Sequence, residues 1–74
     1  MTVFEPGTEV TADEALGGYS GVVVRPHGTF DGIEGTNWRT CTQIRVTDPA
    51  AGYWAAGQLV NVETEFLREG GPGG

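Results

Sequence analysis

The side chains that most often do chemistry in proteins are few in this 74-residue chain. It has one histidine, His27, and one cysteine, Cys41. His27 stands between a proline and a glycine, in an expected loop. It could act as a base with Asp31 or Glu34, but no nucleophile is marked out by its context, and a solvated loop histidine is the more usual case. One cysteine and one histidine can form neither an internal disulfide nor a four-ligand zinc site.

The remaining candidate chemical groups also lack the surroundings that a reaction needs. Cys41 has only Arg39 nearby to lower its pKa, so we expect a small packed or half-exposed residue rather than a nucleophile. Asp31 and Glu34 lack the further ligands of a calcium loop. The glycines at the C-terminus precede no helix and so cannot form a phosphate loop. We predict no enzymatic activity, no metal and no cofactor.

Aromatic and arginine side chains provide the one functional lead, because these residue types dominate protein-interface hot spots. Adjacent residues of an extended chain point to opposite sides, so Tyr53 and Trp54 cannot both be buried. Either one of them packs in the core and the other lies on the surface, or one binds a partner. Phe30, Ile33 and Trp38 pose the same choice between a satellite cluster and an exposed anchor. The predicted partner-binding residues are Tyr19, Arg25, Phe30, Trp38, Arg39, Tyr53 and Trp54.

The charge balance narrows the choice of partners. Ten acidic residues, four arginines and no lysine give a formal net charge of −6. This speaks against binding a phosphate backbone and is compatible with solubility, with a basic protein partner or with mimicry of a nucleic acid. The absence of lysine beside abundant glycine and alanine suggests GC-rich coding, as in actinobacteria or their phages.

The apolar segments and the N-terminus indicate the cellular location of the protein. No apolar run reaches the ~20 residues of a membrane span, and the N-terminus does not resemble a signal peptide. We expect a cytoplasmic protein with a reduced Cys41, or a virion protein if a phage encodes it.

The predicted strands determine where the candidate chemical and aromatic side chains lie. Three consecutive valines between Tyr19 and Arg25, closed by Pro26, predict the central strand. Residues 40–47 alternate with period two, which places Thr42, Ile44 and Val46 on the buried face. Further short strands are predicted at 8–10, 58–62 and 66–68.

Turn signals separate these strands. Thr11 and Glu14 fit a capping box that opens one helical turn with Leu16 buried. Asp31-Gly32 predicts a hairpin turn, and residues 48–52 predict a turn with Asp48 as its cap and Gly52 at positive φ. Residues 1–68 are therefore expected to form one β-domain, and residues 69–74 a disordered tail.

A family resemblance rests on short motifs spread over residues 4–68. Pro6-Gly7 with Val10 is followed by Gly-Tyr-x-Gly-Val-Val at 18–23, by a strand ending in Val46 and Asp48, and by a glycine-led strand from Gly57. This pattern resembles the small Src-homology-3-like barrels of the KOW and Tudor types. The resemblance implies an all-β, five-stranded antiparallel barrel in which glycine before the second strand permits close backbone approach. Nucleic-acid-binding members have basic loops, whereas acidic residues occupy those regions here, so RNA binding is not expected.

The glycine-rich end also resembles the tails of ubiquitin-like modifiers, but residues 19–40 are too rich in glycine and β-branched residues for the long helix of that fold.

The first functional hypothesis is a non-enzymatic protein-interaction module, an accessory subunit of a larger assembly such as a phage particle. The alternative is an acidic inhibitor that presents carboxylates, among them Glu9, Asp13 and Glu34, in place of phosphates.

Overall fold

Five antiparallel strands and two one-turn 3₁₀ helices make up the regular structure in the computed structural model, which describes residues 3–28, 40–50 and 53–70. The first 3₁₀ helix, Glu14–Leu16, lies between β1 and β2, and the second, Thr64–Phe66, lies between β4 and β5. The strands are β1 Glu9–Ala12, β2 Ser20–Arg25, β3 Cys41–Asp48, β4 Leu59–Glu63 and β5 Leu67–Glu69.

The strands form one sheet in the order β4-β3-β2-β1-β5. Every neighbouring pair is antiparallel. The all-β, five-stranded antiparallel fold predicted from the sequence is therefore confirmed. β4 and β5 lie at the two ends of this order and are joined only by the second 3₁₀ helix. Closure into a barrel, and with it the Src-homology-3-like resemblance, stays a prediction.

All five strands contribute to one buried cluster on the inner face of the sheet. Ile44 and Val46, which were predicted to be buried, belong to it together with Val60 and Val62, and Val23 is the member from the run of three valines. Because residues from the end strands β4 and β5 meet in the same cluster, the sheet must curve around it. The rest of the cluster is Phe4, Val10, Ala12, Tyr19 and Leu67.

The central strand β2 is shaped by a close backbone approach and by two irregularities. Gly21 lies opposite Val46, and a Cβ at position 21 would lie 2.4 Å from the carbonyl oxygen of Arg45. The β2–β3 register shifts twice, once before the pair Gly21–Val46 and once after the pair Val23–Ile44. A bulge bends and twists its strand, which lets a short sheet curve.

Two local predictions are corrected by the structure. Thr11 lies within β1, and Asp13 caps the first 3₁₀ helix by accepting a hydrogen bond from Ala15 N at 3.0 Å. Thr11 pairs with Ser20 and Arg68 within the sheet, so it cannot cap the helix, and the cap lies two residues later in the chain. Leu16, predicted to be buried, is exposed, because a single helical turn does not reach the core.

The predicted turns and tail have mixed outcomes. Asp48 does cap its turn, accepting a hydrogen bond from Ala50 N at 3.1 Å. β5 extends to Glu69, one residue into the predicted tail, and Gly70 N donates to Glu9 O. The predicted hairpin at 31–32, the positive φ at Gly52 and residues 71–74 lie outside the described residues.

Candidate functional site

Exposed apolar side chains gather on one side of the molecule. Among the described residues, five large apolar side chains are exposed: Val3, Leu16, Tyr53, Leu59 and Phe66. All except Val3 line two adjoining open grooves, of about 420 and 470 Å³, that share Leu16, Tyr19 and Trp54. We call this surface the Trp54 face and define it as Leu16, Tyr19, Tyr53, Trp54, Leu59 and Phe66.

The turn before β4 positions Trp54. Gln58 N donates to Ala55 O at 3.1 Å, and the Gln58 side chain accepts from Ala55 N at the same distance. Gly57 adopts φ +88° in this turn, which a residue with a Cβ adopts only with strain. Two bonds across four residues therefore fix the chain directly after Trp54.

Trp54 rests on Tyr19 and leaves Tyr53 in solvent. The Tyr19 and Trp54 rings meet edge to face, with centroids 6.3 Å apart and planes at 78°. This is a favourable arrangement for aromatic pairs. Tyr19 is only 4% exposed, whereas Tyr53 is 83% exposed. The prediction that Tyr53 and Trp54 are not both buried is thus confirmed.

Backbone hydrogen bonds bring the two 3₁₀ helices together at the other end of the face. Asp13 N donates to Phe66 O at 2.8 Å, and Asp13 O accepts from Leu16 N at 2.8 Å. One residue therefore links the helix that presents Leu16 to the helix that presents Phe66. Each helix is too short to bury its apolar residue, so both side chains contribute to the surface.

Acidic residues border the Trp54 face. Glu63 lines the groove beside β4, and Glu14 lines the groove beside the first 3₁₀ helix. Glu63 and Glu65, with Thr40 and Phe66, line a third depression next to them. No arginine or histidine is among the described residues that line these three depressions. The three depressions are therefore apolar at their centre and have carboxylates at their edge, while Arg45 lies opposite Leu59 in the β3–β4 pairing.

The structure brings together three of the seven predicted partner-binding residues. Tyr19, Tyr53 and Trp54 share the Trp54 face, with Tyr19 as its buried support rather than as an exposed contact. Arg25 is exposed at the end of β2 and lines none of the described grooves. Phe30, Trp38 and Arg39 lie outside the described residues.

Sequence reasoning did not place Leu16, Leu59 and Phe66 on this surface. For Leu59 a signal was present: with Val60 and Val62 inside, the alternation of the strand puts Leu59 on the outer face, where an apolar residue is unusual. Leu16 and Phe66 gave no comparable signal, because their exposure depends on two helices of only three residues each.

His27 belongs to a hydrogen-bonded chain rather than to open solvent, which corrects the sequence-based interpretation. Its Nδ1 lies 2.7 Å from Thr64 Oγ1, which lies 2.7 Å from Thr42 Oγ1. A histidine beside a hydroxyl is the arrangement of an activated nucleophile. Thr64 is only 3% exposed, however, and Thr42 is fully buried, so no substrate can reach this hydroxyl. The chain ties the loop after β2 to the second 3₁₀ helix.

Two side chains, Tyr19 and Cys41, have raised pKa values. Burial raises the pKa of the Tyr19 phenol, and its hydrogen bond with Trp54 opposes part of this change. Burial, with a smaller contribution from the charge of Glu63, also raises the pKa of the Cys41 thiol. Glu63 lies directly opposite Cys41 in the β3–β4 pairing. Of the two expected placements of Cys41, packed or half-exposed, the structure shows the packed one, and the thiol stays protonated at neutral pH.

These raised pKa values predict a loss of stability at alkaline pH. When the folded pKa exceeds the unfolded one, the native state binds more protons, so the free energy of unfolding falls as pH rises above the unfolded pKa. The decline should begin near pH 9.0 for Cys41 and near pH 10.0 for Tyr19, with at most about 1.4 kcal/mol per pH unit from each. Urea unfolding between pH 7 and 11 measures it. Cys41→Ala should remove the earlier part of the decline, and an unchanged profile would contradict the assignment.

No cluster of three or more potential metal ligands occurs among the residues that the structure describes. The described helices are all too short or too polar to cross a membrane. No protein-family model, curated protein or solved structure matches the chain.

Proposed function

We propose that this protein is a non-enzymatic protein-interaction module that binds a partner protein through the Trp54 face. The observation that carries the proposal is the concentration of exposed apolar side chains: four of the five among the described residues lie on this one surface. Scattered exposed apolar residues are normal, but a contiguous group with a polar rim is typical of interaction sites.

The composition of the face supports the same function. Tyrosine and tryptophan are the residue types that most often contribute large binding energies at interfaces. Trp54 is already held by Tyr19 and by the turn after it. A partner would therefore meet a preorganised surface, and ordering the face on binding would cost little entropy.

The proposal extends to assembly as an accessory subunit of a larger complex, such as a virus particle. A core of this size supplies only about 3–5 kcal/mol of stability, and partner binding would add to it. The alternative of a nucleic-acid mimic has no specific support. Of the carboxylates considered for it, Asp13 is engaged as a helix cap, and Glu34 lies outside the described residues.

Tyr53→Ala tests the proposed function with little risk to folding, because the side chain is 83% exposed. We expect the affinity for the native partner to fall about tenfold or more, the loss expected at an interface hot spot, where tyrosine is enriched. The measurement is co-purification of the tagged protein from its native source, followed by titration of the captured partner.

Val3→Ala is the matched control, since Val3 is 55% exposed and lies outside the Trp54 face. It should capture the partner as well as the unchanged protein does. Equal capture by Tyr53→Ala and Val3→Ala would rule out the Trp54 face as the binding surface. Loss of binding in Glu9→Gln, which changes a carboxylate outside the Trp54 face, together with full binding by Tyr53→Ala would instead favour the acidic mimic.

A further inference from the structure

We infer that the partner engages the Trp54 face as an extended, basic segment that pairs with the outer edge of β4 and adds a strand to the sheet. The inference rests on the proposed function and specifies how that surface binds. It comes from three observations: the direction of the β4 backbone groups, the course of the groove and the charge of its border.

The outer edge of β4 has backbone groups that face away from the sheet. Val46 N donates to Gln58 O, and Thr64 N donates to Thr40 O. Hydrogen-bonded pairs in an antiparallel ladder recur at every second residue, so Val60 and Val62 direct their backbone groups toward β3. Leu59, Asn61 and Glu63 consequently direct theirs outward. Among the described strands, β3 alone pairs with β4.

One groove follows this edge along its whole length. All five residues of β4, Leu59 to Glu63, line it, which places the groove beside the strand rather than above one of its faces. Trp54, Tyr19, Leu16 and Phe66 form the remainder of the lining. A strand added here would meet the outward-facing backbone groups of β4 on one side and apolar side chains on the other. Peptides that add a strand to a sheet edge gain affinity from the backbone and specificity from such side chains.

The carboxylates at the border of the groove favour a basic partner segment. Glu63 lies on the edge strand itself, and Glu14 and Glu65 lie on the two neighbouring 3₁₀ helices. A second copy of the chain, with its net charge of −6, would bring like charges together at this edge. A segment that alternates apolar residues with lysine or arginine would place one row of side chains in the groove and the other beside the carboxylates.

A pair of substitutions at Asn61 isolates the backbone contribution. Asn61→Pro removes an outward N–H and leaves the bonds to β3 in place, which proline at an edge permits. Asn61→Ala is the control, because both variants lose the 3.2 Å hydrogen bond from Gln43 Nε2 to Asn61 Oδ1. The probe is the peptide acetyl-(Lys-Val)₃-amide, added to the full chain and followed by NMR. Spectra of the free variants report whether each is folded.

We expect saturable binding of this peptide, at least tenfold weaker for Asn61→Pro than for Asn61→Ala, and weakened by salt. The amides of Leu59, Asn61 and Glu63 should exchange rapidly in the free protein and slowly in the complex. The peptide acetyl-(Glu-Val)₃-amide should not bind.

Three results would overturn the inference. The first is no binding of the lysine peptide up to about 1 mM. The second is equal binding by the two Asn61 variants without new amide protection. The third is self-association of the protein that Asn61→Pro abolishes, which would make a second copy the occupant. If Asn61→Pro does not fold, the test is hydrogen exchange of the Leu59, Asn61 and Glu63 amides in the wild-type protein with the lysine peptide bound. Exchange that is no slower than in the free protein would then overturn the inference. The proposed function fails separately, when Tyr53→Ala leaves capture of the native partner unchanged.

Discussion

Replacement of Gly21 by alanine should remove most of the protein's stability. The added Cβ would lie 2.4 Å from Arg45 O and 3.0 Å from Arg45 C, distances that require the two strands to separate. Both contacts are with backbone that is fixed by the β2–β3 pairing, so no side-chain rotation can relieve them. We expect the free energy of unfolding to fall by about 3 kcal/mol. This approaches the ~3–5 kcal/mol that a core of this size supplies.

Gly18→Ala is the matched control for this experiment. Gly18 lies three residues earlier, adopts φ +66°, and has no atom within 4 Å of the position its Cβ would occupy. Its substitution should cost about 1 kcal/mol, from backbone strain alone. Urea denaturation followed by circular dichroism measures both variants. If Gly21→Ala proved as stable as Gly18→Ala, the close approach of β2 to β3 would be wrong.

Thr64→Val should destabilise the protein by about 2 kcal/mol, although valine has nearly the same shape as threonine. The Thr64 hydroxyl is the bonded neighbour of the fully buried Thr42 hydroxyl, which would be left without its 2.7 Å partner. His27, by contrast, is only half-buried and can turn to water when Thr64 is replaced.

The double variant Thr42→Val/Thr64→Val provides the decisive comparison. Removal of both hydroxyls leaves no buried polar group unpaired, so the double variant should be more stable than Thr64→Val alone. Equilibrium unfolding of the wild-type chain, the two single variants and the double variant gives the coupling free energy. Additive losses would show that the buried hydroxyls do not depend on each other.

The sequence determined the strands, because their signals are local. Alternation along β3 identified Thr42, Ile44 and Val46 as buried, and the valine run with Pro26 located β2 to within one residue. β-branched residues favour extended backbone wherever they occur, and alternation reports which face meets the core. The adjacency of Tyr53 and Trp54 likewise predicted that one of them remains accessible, since neighbouring side chains diverge whatever the fold.

Only the tertiary structure decided which exposed groups meet. Leu16 is far from Leu59 and Phe66 in sequence, and the three share a surface because Asp13 N bonds to Phe66 O and because β4 ends the sheet. The hydrogen bond between His27 and Thr64 spans 37 residues, so loop composition alone suggested a solvated histidine. Contacts of this kind depend on how the sheet curves and where short helices stop. Those features arise from the balance of packing and pairing over the whole chain, which no local pattern encodes.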